Sequence, residues 1–335
     1  MSTLRGAAKV LSGLAAAGTA VLAYSLAEAR WPVLRRYHVP VLAGGEEPIT
    51  ILHLSDLHLT DRTEARVAWV RSLAELHPDV VIDTGDNLSL ANGVEPLHRA
   101  LEPFLELPGA FVMGDHDYYA TDFQPPTKYL RRDSRNASFW ARREQGAGRP
   151  ADDAEARAKE LRALPWREVA ALQASGGWVD LTNRRGAITV RGRRIDLVGV
   201  DDPHADRDDY PAAAPEPAAG EAVLDRAGRA LRLGLVHAPY QRILDAMSHD
   251  GVSLALAGHT HGGQLCLPFY GALLTNCDLD RKRASGLSQW PGRYGSLEAA
   301  DDMYLHVSAG VGTSPFTPVR LACRPEASLI TLLPG

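Results

Sequence analysis

Aspartate and histidine side chains that could bind metal ions recur in this chain, each directly after a short apolar segment. Three such segments, which end in "SDLH", "TGDN" and "GDHD", supply Asp56, His58, Asp86, Asn87, Asp115, His116 and Asp117. Two later segments, which end in "HAP" and "GHTHGG", supply His237, His259 and His261. Carboxylate and imidazole ligands together favour borderline divalent ions such as Mn, Fe, Zn or Co over Ca. The sequence therefore predicts a metal centre, provided that the fold brings these positions together.

The spacing of the first three aspartates indicates how the fold would do this. Asp56, Asp86 and Asp115 follow one another at intervals of about thirty residues, which is the length of one βαβ unit. In a parallel sheet the carboxyl ends of neighbouring strands share one edge, and ligands bind there. Residues two apart in an extended segment point the same way, so His259 and His261 can act together. Carboxylates gathered in this way repel one another unless cations are present, which favours a site with two metal ions.

Apolar periodicity places these residues at the ends of strands. Strands are predicted at 49–55, 79–85 and 109–114, with amphipathic helices at 63–76 and 94–106 between them. Later strands are predicted at 187–201 (a hairpin), 232–239, 252–263, 303–310 and 327–333. Strands that alternate with helices over short joints predict an α/β fold with a mainly parallel core.

The simplest division of the chain is an N-terminal segment, 1–44, followed by one catalytic domain, 45–335. Within this domain, residues 125–165 form a charged insertion, for which a lid over the site and a solvated excursion are the alternatives. Residues 204–230 include a stretch rich in Pro and Ala, which predicts a surface loop.

The N-terminal segment contains an uncharged run from Val10 to Ala27. As a helix it would be about 27 Å long, just under the ~30 Å hydrocarbon core of a bilayer. The run is only weakly apolar, and "AEA" at 27–29 is typical of a signal cleavage site. A single-pass membrane anchor, a cleaved export signal and an interfacial or buried helix all stay open. Basic residues flank the run on both sides and do not decide its orientation.

Composition excludes several other classes of protein. The 335 residues are 45% hydrophobic and 23% charged, as in an ordinary globular protein, and the net charge of -5 argues against a nucleic-acid binder with a broad basic face. The three cysteines have no CxxC spacing, so neither a disulfide framework nor a zinc ribbon is expected. Three free thiols, or one bridge between Cys266 and Cys277, are the alternatives.

The motifs "DLH", "GDN", "GDHD", "HAP" and "GHTHGGQ", in this order, resemble those of the calcineurin-like metallophosphoesterases. Within this superfamily the chain is most similar to a membrane-associated bacterial branch of phosphodiesterases with "GHTHGGQ". The likeness extends from about Glu28 to Leu333, apart from 125–165 and 204–230. It implies a four-layer α/β/β/α sandwich, here preceded by the hydrophobic N-terminal helix, and a place at the plasma membrane of a bacterium, with the side left open.

The resemblance also implies roles for individual residues. The first metal ion would be held by Asp56, His58, Asp86 and His261, and the second by Asp86 as a bridge together with Asp115, His237 and His259. His116 matches a histidine that touches the phosphate without binding metal. A hydroxide activated by the two ions would attack phosphorus, while His116 stabilises charge or protonates the leaving oxygen. Asn87 and Asp117 are candidates for substrate contact. Capping of a turn is the alternative for Asn87, and orientation of His116, exposure to solvent and helix capping are the alternatives for Asp117.

One position departs from the family pattern, which has Asn where this chain has Asp115. An aspartate is nearly isosteric with asparagine and is a hard oxygen donor, so ligation should survive. Two divalent ions and two aspartates leave a charge of about +2, and a third aspartate lowers it to about +1. We therefore expect the second metal to bind more tightly and turnover to be slower than with Asn.

These features predict a metal-dependent phosphoesterase, more narrowly a phosphodiesterase, that hydrolyses a phosphate ester or a pyrophosphate bond. A membrane-tethered member favours a lipid-linked or envelope substrate. Two alternatives stay open. One is a membrane-tethered, non-catalytic metal-binding protein, which only the aspartate at position 115 supports, and the other is a soluble nucleotide phosphodiesterase.

Overall fold

The structure, a computed structural model, describes residues 2–121, 162–213, 220–267, 269–292 and 303–335. The predicted charged insertion at 125–165 lies outside these residues except for its last four positions. Helices are α1 (Ser2–Glu28), α2 (Glu64–Ser72), α3 (Val94–Leu101), α4 (Asp115–Tyr118), α5 (Trp166–Ser175) and α6 (Gln241–His249). Single turns of 3-10 helix occur at Leu73–Leu76, Ala91–Gly93, Glu102–Phe104, Pro203–Ala205, His261–Gly263 and Arg281–Arg283.

Fourteen strands are present in the described residues, and twelve of them form two six-stranded sheets. They are β1 (Val33–Leu42), β2 (Ile49–Leu54), β3 (Val80–Asp83), β4 (Gly109–Phe111), β5 (Val179–Asp180), β6 (Arg184–Val190), β7 (Arg193–Gly199), β8 (Arg232–Val236), β9 (Leu254–Ala257), β10 (Cys266–Leu267), β11 (Gly271–Ala272), β12 (Gly286–Trp290), β13 (Met303–Val307) and β14 (Glu326–Pro334). The remaining two, β10 and β11, pair as a short antiparallel hairpin.

The first sheet carries the three predicted βα units. Its strand order is β1-β14-β2-β3-β4-β5. Strands β2 to β5 run parallel, β14 runs antiparallel to β2, and β1 runs parallel to β14. The carboxyl ends of β2, β3 and β4 therefore lie side by side, and the segments that hold Asp56, Asp86 and Asp115 leave the sheet at one edge.

The second sheet has the order β12-β13-β9-β8-β7-β6. Its four central strands, β13, β9, β8 and β7, are parallel, and the edge strands β12 and β6 are antiparallel to their neighbours. Strand β8 ends directly before His237, and β9 ends two residues before His259. The mixed α/β fold with parallel strands agrees with the prediction.

Three apolar clusters hold the layers together. One contains side chains from both sheets, among them Ile51 and Leu254, so the sheets pack face to face. A second packs α2, α3 and α5 on the outer face of the first sheet, and a third packs α6 on the second sheet. The order of the layers is thus helix, sheet, sheet, helix. Each fully buried aliphatic side chain contributes roughly 1.5–3 kcal/mol to this packing.

The N-terminal segment is partly integrated into the fold. Strand β1 pairs with β14 from Val33–Glu326 to Pro40–Leu333, so the predicted linker contains an edge strand of the first sheet. The side chains of residues 12–24 in α1 are exposed. Among the described residues no helix, including α1 in the segment predicted to be an anchor or a signal, combines the length and apolarity that a membrane span requires.

Two histidines meet between the two sheets. Nδ1 of His53 in β2 lies 3.0 Å from Nδ1 of His306 in β13, and Nε2 of His53 lies 2.9 Å from Oγ1 of Thr84. Burial lowers the pKa of His306 to about 3. Burial, and then the neighbouring His306, hold the pKa of His53 well below its usual range. Both rings are therefore neutral in the folded protein near pH 7.

This pair predicts a dependence of stability on pH. Because each folded pKa lies below the unfolded value of about 6.5, the unfolded chain binds protons first as the pH falls. The contribution of the pair is complete above pH 6.5 and is lost below it. We expect His306→Asn to reduce the slope of the unfolding free energy, by up to about 1.4 kcal/mol per pH unit, in urea titrations below pH 6.5.

The control is His249→Asn, which removes an exposed histidine of α6. Equal slopes for His306→Asn and the wild type would contradict this assignment.

Candidate metal centre

Two groups of possible metal ligands lie at the shared edge of the strands. One group consists of Asp56, His58 and His261, and the other of Asp115, His237 and His259. Within each group the ligand atoms lie within 4.8 Å of one another. The six residues come from four segments, after β2, β4, β8 and β9, and the strand ends bring these segments together.

Asp86 lies between the two groups. Its Oδ2 is 3.5 Å from Nε2 of His58 in the first group, and its Oδ1 is 3.3 Å from Nε2 of His237 in the second. It also forms possible ligand sets with Asp56 and His237, and with Asp115 and His116. A carboxylate in this position has one oxygen for each group, as a bridging ligand requires.

The backbone at these residues is unusual. Asp56, His58, Asp86, His259 and His261 all have positive φ angles, between 46° and 67°. They account for five of the thirteen non-glycine residues with positive φ in the described part of the chain. The left-handed region is unfavourable for residues with a side chain, and such strain clusters at functional sites. Strand ends that turn in this way direct neighbouring side chains to one point.

Two glycines are required by the close packing of the ligands. A Cβ atom on Gly114 would collide with Oδ1 of Asp86. A Cβ atom on Gly258 would collide with the Ser55 hydroxyl and the Asp56 carboxylate. Only glycine allows the backbone to come this near to the carboxylates.

Asp117 fixes the loops that carry two of the aspartates. Its carboxylate accepts hydrogen bonds from the backbone N–H groups of Asp86 at 2.9 Å, Asn87 at 2.9 Å and Gly114 at 3.0 Å. Asp117 and Asn87 are both fully buried. Because both are buried, these two predicted substrate contacts do not lie at the exposed mouth of the site. Asp117 instead connects the loop after β3 to the loop after β4.

The charge state of the histidines suits metal binding. Burial, followed by nearby positive groups, holds the pKa values of His58, His259 and His261 well below the usual range. Their rings are therefore neutral and offer a lone pair. His237 differs, since the negative charge of Asp86 outweighs burial and raises its pKa. Burial raises the pKa of Asp56 to about 6.

The arrangement leaves a buried polar atom without a hydrogen bond. Nδ1 of His237 donates to the carbonyl oxygen of Thr84 at 2.7 Å, so in the neutral ring, the form that binds metal, the lone pair is on Nε2. That Nε2 is buried, makes no hydrogen bond and faces Asp86. A divalent cation would be its partner, so the residues present fit a metal ion.

Arg320 supports the first group and was not identified from the sequence. It is fully buried and donates to the carbonyl oxygens of His261 at 2.6 Å and Gly312 at 2.7 Å. Its Nη2 also lies 2.9 Å from Nδ1 of His261. No motif marks this arginine, which follows His261 by 59 residues.

His204 lies beside the second group and was also missed. Its ring centroid is 4.6 Å from that of His259, and its Nδ1 is 3.1 Å from the Tyr240 hydroxyl. The Asp202 carboxylate accepts the N–H groups of His204 and Ala205 and so caps the turn that presents the ring. The start of the predicted surface loop at 204–230 therefore belongs to the site. The sequence contained a signal for His204, because "DDPH" follows strand β7 in the same way that "SDLH" follows strand β2.

The mouth of the site is formed by Asp115, His116 and His261, whose side chains are 24%, 27% and 17% exposed. Nδ1 of His116 donates to the Tyr119 carbonyl oxygen at 3.1 Å. Burial lowers the pKa of His116, but the charges of Asp115 and Asp86 raise it overall. Burial raises the pKa of Asp115, but His116 and other histidines lower it overall, so this carboxylate is ionised.

Comparison with known proteins agrees with this geometry. The family model described as "Calcineurin-like phosphoesterase" matches residues 49–263, which is more than half of the chain. The matched region contains all seven possible ligands and His116.

Three relatives are similar over different parts of the chain. "Uncharacterized protein YpbG" of Bacillus subtilis (strain 168) is 25% identical over 97% of this chain and 96% of its own length. "Uncharacterized metallophosphoesterase YkuE" of the same organism is 24% identical over 87% of this chain and 82% of its own. "Phosphodiesterase YaeI" of Escherichia coli (strain K12) is 30% identical over 48% of this chain and 49% of its own.

The contacts of Arg320 predict a loss of metal affinity in Arg320→Lys. A lysine lacks the planar fork that reaches two carbonyl oxygens and the His261 ring at once. We expect binding of one Mn²⁺ to weaken about 10- to 100-fold in a titration with a competing chelator. The control is Arg184→Lys, which changes an exposed arginine of β6. An unchanged affinity in a folded Arg320→Lys protein would show that the support is dispensable.

Proposed function

Because this chain belongs to the calcineurin-like phosphoesterase family, and is thus a hydrolase that acts on phosphoric esters, we propose that it is a phosphodiesterase that uses two divalent metal ions. The single observation that supports this most directly is the position of Asp86 between two groups of three possible ligands.

The chain offers a separate ligand set to each ion. Asp56, His58 and His261, with one oxygen of Asp86, would hold the first, and Asp115, His237 and His259, with the other oxygen, would hold the second. Mixed carboxylate and imidazole sets favour Mn, Fe, Zn or Co. When bound, the two ions would acidify water and withdraw charge from a phosphate group.

His116 is positioned to transfer a proton at the mouth of the site. Its Nδ1–H is engaged by the Tyr119 carbonyl oxygen, so Nε2 is the ring atom that can carry and release a proton. That Nε2–H would donate to the oxygen of the leaving group. Its backbone N–H donates to Oδ1 of Asp86 at 2.8 Å, so the acid is held at a fixed place relative to the metal ligands.

The substrate we propose is a phosphodiester, and a lipid-linked or envelope compound is the class we favour. The similarity to the E. coli protein YaeI, which is named as a phosphodiesterase, supports the first part. Association with a bacterial plasma membrane is also a proposal, supported by the exposed apolar side chains Leu14, Val21 and Leu22 of α1.

Hydrolysis of bis-p-nitrophenyl phosphate with added Mn²⁺ tests the proposed activity. We expect activity in the wild type and at least about a 100-fold lower kcat in His116→Ala, because the acid is missing. Asp86→Asn should lose both activity and one metal ion, because an amide is a poor bridge. Wild-type protein that binds two ions but hydrolyses no ester would instead support a non-catalytic metal-binding protein.

The aspartate at position 115 predicts that affinity for the second metal ion and kcat change in opposite directions. An Asp115→Asn variant removes one negative charge, so the second ion should bind more weakly and pull more strongly on the phosphate oxygen. We expect a higher kcat, and a higher dissociation constant for the second Mn²⁺ ion in a titration. A variant that binds metal no more weakly and turns over no faster would overturn this account of the aspartate.

A further inference from the structure

Exposed apolar side chains are concentrated in one part of the molecule. Eleven large hydrophobic side chains are exposed among the described residues, and every one lies within 14–31, within 265–273 or at Phe316. Large apolar patches on a soluble surface are uncommon and mark interaction sites. We call these three segments together the apolar rim.

Hydrogen bonds connect the three segments to one another. The backbone of Leu321 pairs with Gln264 and Cys266, at 3.0 and 2.8 Å, and so holds the hairpin β10–β11. The preceding residue, Arg320, donates its N–H to the carbonyl oxygen of Ser25 in α1 at 3.0 Å. The segment that follows Phe316 therefore contacts both the hairpin and the helix.

The rim also adjoins the mouth of the metal centre. His261, a possible ligand that is 17% exposed, begins the 3-10 turn His261–Gly263, and the hairpin starts at Cys266. At the tip of the hairpin the Phe269 side chain is fully exposed and Tyr270 is 59% exposed. A surface that covers the rim would thus lie next to the entrance of the site.

Aromatic rings and cations are paired along the rim. The guanidinium of Arg281 lies 4.8 Å from the centroid of Tyr270, and that of Arg324 lies 4.3 Å from the Trp31 ring. Tyrosine and tryptophan beside arginine are typical of membrane-binding surfaces at the level of the lipid headgroups. There the apolar part of the aromatic ring lies in an apolar environment and its polar end contacts water.

The positive charge of the rim comes from an exposed arginine. Within 14–31 the sequence has one acidic and one basic residue, Glu28 and Arg30, and Arg30 is exposed. The acidic residue, Glu28, is buried, with its carboxylate bound by the N–H groups of Ala322 and Cys323. Arg281 and Lys282 beside the hairpin are exposed, and so are Asp278 and Asp280, so the exposed charges of this segment balance and the net positive charge of the rim is that of Arg30. Basic residues near apolar side chains favour anionic lipid.

We propose that the apolar rim docks on the surface of an anionic lipid bilayer and holds the metal centre at the level of the headgroups. The partner is the lipid surface itself, and phosphodiesters presented there are the substrates that the site reaches. This inference rests on the proposed phosphodiesterase function, which it deepens by naming where the substrate is met.

Flotation of the full-length, metal-loaded protein with vesicles tests the proposal. The probes are vesicles of phosphatidylcholine with phosphatidylglycerol, and vesicles of phosphatidylcholine alone. Phe269→Glu places a charge at the tip of the hairpin, and the control Thr189→Glu places the same charge on the exposed face of β6. We expect the wild type and the control to float with anionic vesicles and Phe269→Glu to partition at least about tenfold less.

Hydrolysis of soluble bis-p-nitrophenyl phosphate in the same preparations separates the two proposals. Equal rates in all three proteins, with the loss of flotation confined to Phe269→Glu, support docking. Flotation of Phe269→Glu equal to that of the control, or no preference for anionic vesicles, overturns it. Dimerisation in solution that is lost in Phe269→Glu also overturns it, because a second copy would then cover the rim. Normal flotation without hydrolysis by the wild type contradicts the phosphodiesterase function alone.

Discussion

The Asp86 carboxylate has to satisfy three neighbours at once. Its two oxygens face His58 and His237, and one of them also accepts the N–H of His116. Each neighbour comes from a different strand end, so the distances around this carboxylate are set by how two sheets pack. A shift of either sheet along its strands would separate the two ligand groups. The face-to-face packing of the sheets is therefore as necessary to the site as the ligands are.

Two side chains that do not face the substrate keep these distances fixed. Asp117 accepts three backbone N–H groups from the loops after β3 and β4. Arg320 donates to the backbone oxygens of His261, in the first ligand group, and of Gly312. A polar group in the interior is costly unless it is hydrogen-bonded, and both of these side chains bond to backbone atoms, although Nε of Arg320 makes no hydrogen bond. The strained backbone of the ligand residues is held in place by these contacts.

Local sequence predicted a large part of this arrangement. The β-branched and leucine-rich segments before Asp56, Asp86 and Asp115 are strands, and the βαβ rule placed their ends at one edge. The edge strand β1 was missed, because "VLRRYHVPVL" carries charges that are unusual for a strand. Helix capping was one alternative for Asp117, and its bond from the Gly114 N–H agrees with it, but the bonds from Asp86 and Asn87 were not predicted because these donors lie in a neighbouring loop. Arg320 could not be found, because its partners are backbone oxygens that only the folded chain brings together.

The last turn of α1 is bonded to the same short segment that carries Arg320. Ser25 accepts the N–H of Arg320, and Glu28 holds the next backbone groups, Ala322 and Cys323. A shortened chain that starts after residue 29, the obvious choice for easier purification, would leave these N–H groups without acceptors beside His261, a possible metal ligand. Its catalytic behaviour would then describe a damaged centre, so enzymology on this protein needs the first helix in place.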